Sequence, residues 1–450
     1  MGKRVSSQVF QVVHPHAAGI DVGNAAHFVA VPPESCAEGE HCVRRFETFT
    51  ADLYAIADWL KAHQVDTVAM ESTGVYWIPL FEVLESRGIQ VCLVDTRRLK
   101  SVPGRKTDVK DSMWLQQLHA CGLLQTAFRP VEEICVLRTF LRQREMLIAC
   151  GAEHIQHMQK ALQQMNVKLS NVISDITGLT GMTIIQAILN GERDPLKLAE
   201  KADPRCKQST EAIAKSLVGN WRNDHLFELR QAFELVRIYQ QKVAECDQQI
   251  ETWLQQLSDR RSGDQPELPK RKTKQNPHTP GFDARSLLYR AMGVDLTAIN
   301  GVEASTALKV VSEIGRDITK WPTVKHFCSW LCLCPGNKTS GGKILSSKTR
   351  RSRNRVAAAL RMAAQSLDRS QTALGAYYRR MKSRKGAPEA ITATAHKIAR
   401  IIYSLLKHGQ SFIDIGQEAY EQQYQKRLLH SLEQRAQKLG FQLVAITAPA

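Results

Sequence analysis

Residues 16–22 and 27–31 have the apolar character of strands, and 42–49 adds a third with apolar–polar alternation. Leu53, Ile56, Ala57 and Leu60 then recur at helical spacing across 51–63. An apolar strand at 65–70, a helix over 77–87, a short strand at 90–94 and a helix over 107–124 complete the first part of the chain. The order β-β-β-α-β-α-β-α predicts a mixed α/β sheet, with three strands joined by short turns and helical crossovers to the others.

Past this point the period changes. From Ile134, the positions Leu141, Ile148, Ile155, Leu162 and Leu169 keep a seven-residue spacing, beside a second seam of Leu137, Met158 and Met165 interrupted by Arg144 and Gly151. A second run joins Leu229, Val236, Val243, Ile250 and Leu257 to a seam of Leu226, Phe233, Gln240, Asp247 and Leu254. Such heptads predict coiled-coil packing. An internal hairpin, a bundle within one protomer and pairing between chains all fit, because polar seam positions suit each of them. Residues 259–281 are rich in Pro, Gly and charge and read as a flexible linker. Residues 287–412 are mostly helical in pattern, and 420–439 form an amphipathic helix.

These patterns divide the chain into 1–128 (an α/β carboxylate domain), 129–258 (helical, coiled coil), 259–286 (linker), 287–415 (helical, serine-bearing) and 416–450 (a terminal helix and tail). Composition then narrows the partners. Among 450 residues, 61 are Lys or Arg and 44 Asp or Glu, a formal charge of +17. That excess favours a polyanion, nucleic acid first and an acidic membrane second. No apolar run reaches the roughly 18 residues of a membrane span, and residues 1–10 lack the apolar core of a signal peptide. The eleven scattered cysteines read as reduced thiols of a cytoplasmic protein, with Cys328, Cys332 and Cys334 packed in a core rather than holding zinc.

Four carboxylates stand where strands end and a helix begins. Asp21 closes an apolar strand, Glu71 closes another, and Asp108 and Asp111 open the helix after 107 on one face. Such a set can hold two Mg²⁺ ions about 3.5–4 Å apart, activating an attacking oxygen and stabilising a leaving one. Each residue alone has a plainer explanation, as a strand-end charge or a helix cap. Asp21 in its glycine-flanked turn also resembles a phosphate loop of actin-like ATPases, but no later Asp-x-Gly-Gly loop accompanies it.

Together, Gly19-Ile20-Asp21-Val22-Gly23, Met70-Glu71-Ser72-Thr73-Gly74-Val75-Tyr76-Trp77 and Lys106-Thr107-Asp108-Val109-Lys110-Asp111 resemble the N-terminal domain of DEDD-type insertion-sequence transposases and their Piv-like invertase relatives. That resemblance implies a RuvC-like branch of the RNase H fold, followed by a coiled-coil or helical middle and a mostly α-helical C-terminal domain.

Residues 338–355 contain seven Lys or Arg and no acidic residue. Lys338, Lys343, Lys348, Arg350, Arg351, Arg353 and Arg355 suit a phosphate backbone, and a helix starting near Ser352 would add the positive end of its dipole. Ser340, Ser346, Ser347 and Ser352 lie in the same run, and the residues alone do not select a nucleophile among them. Cys334-Pro335-Gly336-Asn337-Lys338-Thr339-Ser340-Gly341 resembles the proline, spacer, Ser-Gly motif of the same family, whose serine links covalently to DNA. The resemblance therefore assigns that role to Ser340. The segment from Leu296 to Glu303 is similar to the family's helix–hairpin–helix opening, but Glu303 stands where a second glycine would contact phosphate, which weakens that use. Arg379 and Arg380, next to Tyr377 and Tyr378, interleave cations with aromatics as nucleic-acid surfaces do.

The expected function is that of a transposase or site-specific recombinase, cutting and rejoining DNA to move an insertion sequence in the bacterial cytoplasm. The resemblance further implies dimers that assemble into tetramers, and in several members an element-encoded non-coding RNA that selects the DNAs. A metal-dependent nuclease or junction resolvase would need the carboxylates but not Ser340. A non-enzymatic nucleic-acid scaffold would tolerate loss of Asp21.

Overall fold

The computed structural model describes residues 11–72, 74–94, 107–259, 268, 279–409 and 411–444. The chain divides into two compact units, Met1–Arg129 and Pro130–Ala450.

In the first unit, strands β1 (Ala17–Val22), β2 (His27–Ala30), β3 (Val43–Phe46), β4 (Thr67–Glu71) and β5 (Gln90–Val94) form one sheet in the order β3-β2-β1-β4-β5. β2 runs antiparallel to β1 and β3, whereas β1, β4 and β5 are parallel. Helices α1 (Thr50–Ala62), α2 (Trp77–Ser86) and α3 (Asp108–Ala120) supply the layers. Ile20, Val68, Met70 and Leu93 pack with Leu53, Ile56, Leu60, Leu80 and Leu84 on one face. On the other face α3 lies directly on β1, bonding through Gln116 Nε2 to the Ala17 carbonyl at 3.1 Å. This is the mixed sheet that the strand order predicts, consistent with the RuvC-like fold that the resemblance implies.

The cysteine expectation needs one correction. Cys36 and Cys42 are joined by a disulfide, because the loop between β2 and β3 returns their Cα atoms to 5.9 Å. The other nine cysteines are free, and burial pushes the Cys328 thiol up to about 12.

The second unit is helical. The heptad runs become α4 (Glu132–Gln164) and α9 (Asn223–Asp259), which pair with each other antiparallel within the chain. Their polar seam residues meet: Arg144 Nε donates to Asp247 Oδ1 at 2.6 Å, and Gly151 lies against Tyr239, where an added Cβ would come within 3.3 Å of the ring-bearing carbon. Leu169 does not continue the heptad, since α4 ends at Gln164 and the chain turns through Asn166 at φ 61°. Between the long helices lie α5 (Leu169–Val172), α6 (Leu179–Leu189), α7 (Pro195–Ala199) and α8 (Thr210–Ser216). Ile184, Ile188, Leu198, Ile213 and Leu217 build a core there with Met158, Leu162, Leu229 and Phe233. Most of the predicted linker, 260–267 and 269–278, lies outside the described residues.

The remaining elements are α10 (Ala284–Met292), α11 (Ala304–Ile314), α12 (Val324–Trp330), the ribbon β6 (Lys338–Ser340) and β7 (Lys343–Ser346), then α13 (Arg355–Gln365), α14 (Ala373–Lys385), α15 (Ala387–His408) and α16 (Gly416–Lys438). Ion pairs tie them to α4. Glu313 on α11 takes Arg138 and Arg142, and Glu145 takes Lys309 and Arg355. Among the described residues no helix is long and apolar enough to cross a membrane.

Candidate active site

The parallel pairing of β1 with β4 sets Ile20 opposite Met70, so Asp21 and Glu71 follow one step later at the C-terminal ends of neighbouring strands. Alternation puts both on the face opposite the large apolar core, the face that α3 covers. Gly19 makes this closeness possible: a Cβ there would stand 2.3 Å from both the Ser112 carbonyl oxygen and the Gln116 amide nitrogen of α3. The far end of α3 is pinned where Thr67 Oγ1 meets His119 Nε2 at 2.9 Å, near the start of β4. The helix therefore runs against β1, and its first turn, with Asp108 and Asp111, comes to the edge where Asp21 and Glu71 stand.

Thr107 caps that turn, its hydroxyl accepting from the Lys110 amide at 3.3 Å. Ser112, Leu115, Gln116 and His119 form the buried stripe of α3, and Asp108 and Asp111 continue it toward the helix start. Asp21, Glu71 and Asp111 are half-buried and Asp108 is exposed. Beyond Glu71 the chain is held to β5 by Ser72, whose amide and hydroxyl both donate to the Val94 carbonyl, at 3.1 and 2.9 Å. All four donors are hard oxygens, the chemistry that suits Mg²⁺. Among the described residues, no three His, Cys, Asp or Glu side chains gather into a ready ion site.

Ser340 sits on a different kind of support. β6 and β7 pair antiparallel around Gly341 and Gly342, with φ of 53° and 76°. Two positive φ values in a two-residue loop make a tight turn that glycine adopts without strain. Ser340 and Lys343 face each other as the last pair before it. The base is closed by the Pro335–Thr349 bridge and by the Gly336 amide donating to the Lys348 carbonyl at 3.0 Å. The serines of the run now differ. Ser346 and Ser352 accept from the amides of Lys348 and Asn354, while Ser340 and Ser347 are exposed.

Two family models match the chain. One, described as Transposase and of the DEDD IS110 type, matches residues 18–167; the other, Transposase IS116/IS110/IS902 family, matches residues 295–379. The chain belongs to the IS110 family of transposases. No curated protein matches it. The transposase is accordingly a DNA-binding enzyme of transposition, one that cuts and rejoins DNA, in a family whose DEDD domain implies dependence on a divalent metal, typically Mg²⁺.

The cations expected to meet nucleic acid fall into two groups in this transposase. Lys338, Lys343, Lys348, Arg351 and Arg353 are exposed, and their side chains make no hydrogen bond or ion pair among the described residues. The others have work inside the fold. Arg350 donates to the carbonyl and hydroxyl of Ser329, and Arg355 pairs with Glu145 at 2.7 Å. Arg379 donates to the carbonyls of Asp368 and Ser370 and to Gln417. Arg380 lies over the rings of Tyr420 and Tyr424, which docks α16 onto α14. The helix after the basic run starts at Arg355 rather than near Ser352, because Asn354 caps it by accepting from the Ala357 amide. Gly301 in the helix–hairpin–helix segment presses on the Ala363 carbonyl, where a Cβ would come to 2.6 Å, so it serves packing.

Two features of the site escaped the sequence. Gly19 reads there as part of a motif, while its service is to let α3 approach. The β6–β7 hairpin lies in a stretch whose pattern reads as mostly helical, and Ile344 and Leu345 are exposed on it.

Proposed function

We propose that this transposase moves its element through a covalent protein–DNA ester formed by Ser340, with Asp21, Glu71, Asp108 and Asp111 holding Mg²⁺. The observation that carries this reading is the register of β1 with β4 under the first turn of α3, which gives four carboxylates a common sheet edge. Bound Mg²⁺ supplies positive charge for the scissile phosphate and the departing oxygen. The chain's own residues do the rest. Lys338, Lys343, Lys348, Arg351 and Arg353 hold the backbone on either side of the cut. Ser340 Oγ forms a bond to phosphorus and the bond from phosphorus to the leaving sugar oxygen breaks. The serine proton passes to solvent, and the leaving oxygen is protonated to a hydroxyl. A hydroxyl from the partner strand reverses these steps, conserving the ester bond and rejoining the DNA. Lys343, paired with Ser340 across the turn, favours the developing negative charge.

An element-encoded RNA that selects the DNAs, and dimers that join as tetramers, belong to this reading through the family. Work on cellular DNA sets the protein's action in the bacterial cytoplasm, at the nucleoid.

The experiment is covalent trapping. Protein, element-end DNA, RNA from the element's non-coding flank and Mg²⁺ are incubated and run on a denaturing gel. Wild type should yield an adduct that Ser340→Ala and Asp21→Ala both abolish, with rejoining down about a thousandfold or more. Cleavage without an adduct, unchanged in Ser340→Ala, would instead identify a hydrolytic nuclease.

A further inference from the structure

Ile344 and Leu345 are 63% and 70% exposed, side by side on the ribbon that carries Ser340. Among the described residues they have no third strand to pack against, because β6 and β7 form a two-stranded sheet of their own. Ile344 pairs with Thr339, and Leu345 follows it as the extra residue of a bulge, since the next pair is Lys338 with Ser346. Two adjacent aliphatic side chains in water gain nothing for the fold, since neither joins a described core.

The surroundings say what covers them. Every charge from Lys338 to Arg355 is positive, and five of those cations make no side-chain bond among the described residues. An apolar protein partner would have to bury these cations unpaired, which is costly. Nucleic acid neutralises them and offers apolar base faces between its phosphate rails. A two-stranded ribbon is also narrow enough to enter a duplex groove, and aliphatic side chains inserted at a base step partly unstack it.

We propose that Ile344 and Leu345 act as an apolar wedge that enters the DNA beside the phosphate attacked by Ser340 and unstacks the adjoining base step. The proposal rests on the reading of Ser340 as nucleophile for its location on the DNA. Ile344 and Leu345 are positioning residues: they touch bases and present the strand, while the chemistry stays with Ser340. Opening the step frees the sugar–phosphate to turn toward the hydroxyl, and backbone contacts by the lysines and arginines offset its cost.

The test uses the full chain carrying Ser340→Ala, which stops any ester from forming while leaving the wedge in place. The probe is a plasmid bearing the element boundary, with RNA transcribed from its non-coding flank. Permanganate, which oxidises unstacked thymines, reads the opening. The Ser340→Ala chain should create reactive thymines at the boundary, and adding Ile344→Ala and Leu345→Ala should lower that signal by about fivefold or more. Binding in a gel shift should fall by less than about threefold, because phosphate contacts carry most of the affinity. Restoring bulk with Ile344→Leu and Leu345→Met should restore the reactivity. With Ser340 intact, a boundary duplex mismatched at the cut site should rescue rejoining by the double alanine variant.

Unchanged thymine reactivity in the double alanine chain would overturn the wedge, as would parallel loss of reactivity and binding, which marks a general docking contact. Since permanganate reads opening without cleavage, failure of the wedge and failure of the serine mechanism separate: the first appears in this assay, the second in the denaturing gel.

Discussion

At the carboxylate edge, position is set by buried contacts some distance from the acids: Gly19 against the α3 backbone, Gln116 on the Ala17 carbonyl, His119 on Thr67. At the serine hairpin, every residue from Asn337 to Leu345 is exposed, and position is set by two glycine φ angles and a short ladder. The first arrangement fixes acids whose mutual spacing decides whether they can share ions. The second holds out Ser340, the nucleophile we propose, toward a large, charged substrate. The contrast predicts that packing mutations remote from the acids disable the first, while the second responds to its turn and its charge.

Gly19→Val is the strongest test of that contrast. The new side chain would collide with backbone atoms of α3, costing about 4 kcal/mol or more, and thermal unfolding should show the first unit lost together with DNA cleavage. The paired control, Gly341→Ala, imposes roughly 1–2 kcal/mol of left-handed strain on an exposed turn and should leave the melting profile intact while slowing rejoining. If both variants melt alike, the contrast fails.

Arg144→Ala sharpens it from the side of the second unit. It strands Asp247, which is buried and otherwise also accepts from the Gly281 amide at 3.0 Å, in an uncompensated charge. Denaturant unfolding should show a loss of about 3 kcal/mol, whereas Arg144→Met with Asp247→Leu should come close to wild type. A larger loss in the double variant would mean that the pair is needed for the seam's geometry.

A smaller effect depends on pH. Burial, with the nearby His14 ring adding to it, pushes His119 down to about 4. Its neutral form belongs to the fold, so the unfolded chain binds the proton more readily between the two pKa values. Stability is therefore intact above about pH 6.5 and falls as pH drops toward 4, by about 2–3 kcal/mol. His27, also lowered by burial, acts in the same direction. Melting from pH 7 to 4 should fall more steeply in wild type than in His119→Gln; equal slopes would remove His119 from the account.

On affinity and stability, Lys343→Gln should do least. Loss of one phosphate contact lowers the slope of log affinity against log salt by about 0.9, with no change in melting. An unaltered slope would mean that Lys343 faces away from the backbone.

Much of the fold was legible because period two and helical spacing survive wherever one face is buried. All five strands and three helices of the first unit appear at or within a few residues of their predicted places. The four carboxylates were legible from their positions at strand ends and a helix start. The approach of α3 was not, since nothing in a glycine's neighbours along the chain announces which backbone it will touch in space. In the middle region the heptads gave α4 and α9, but the pattern read straight through the turn at Asn166, because Leu169 belongs to another core at the same spacing. The choice between internal and intermolecular pairing lay in Arg144 and Asp247. They look like seam defects until they are seen to satisfy each other. Arg379 and Arg380 show the reverse limit: their density beside tyrosines suggests a substrate surface, while α16, distant in sequence, supplies Gln417, Tyr420 and Tyr424 as partners.

The ion pairs that join α4 to α11 have a consequence in time. Arg142 and Glu313 are 171 residues apart, and Arg355 and Glu145 are 210 apart. At the usual pace of translation, roughly ten to thirty seconds separate the emergence of Arg142 from that of its carboxylate. Throughout that interval Arg142 waits for Glu313, although α9, with Asp247 for Arg144, has already emerged to meet the seam of α4. A copy of the gene truncated before Glu313 would make that condition permanent. Its product would be a substrate for cellular proteases, and decayed copies of the element would leave few stable fragments to compete with the intact enzyme for DNA.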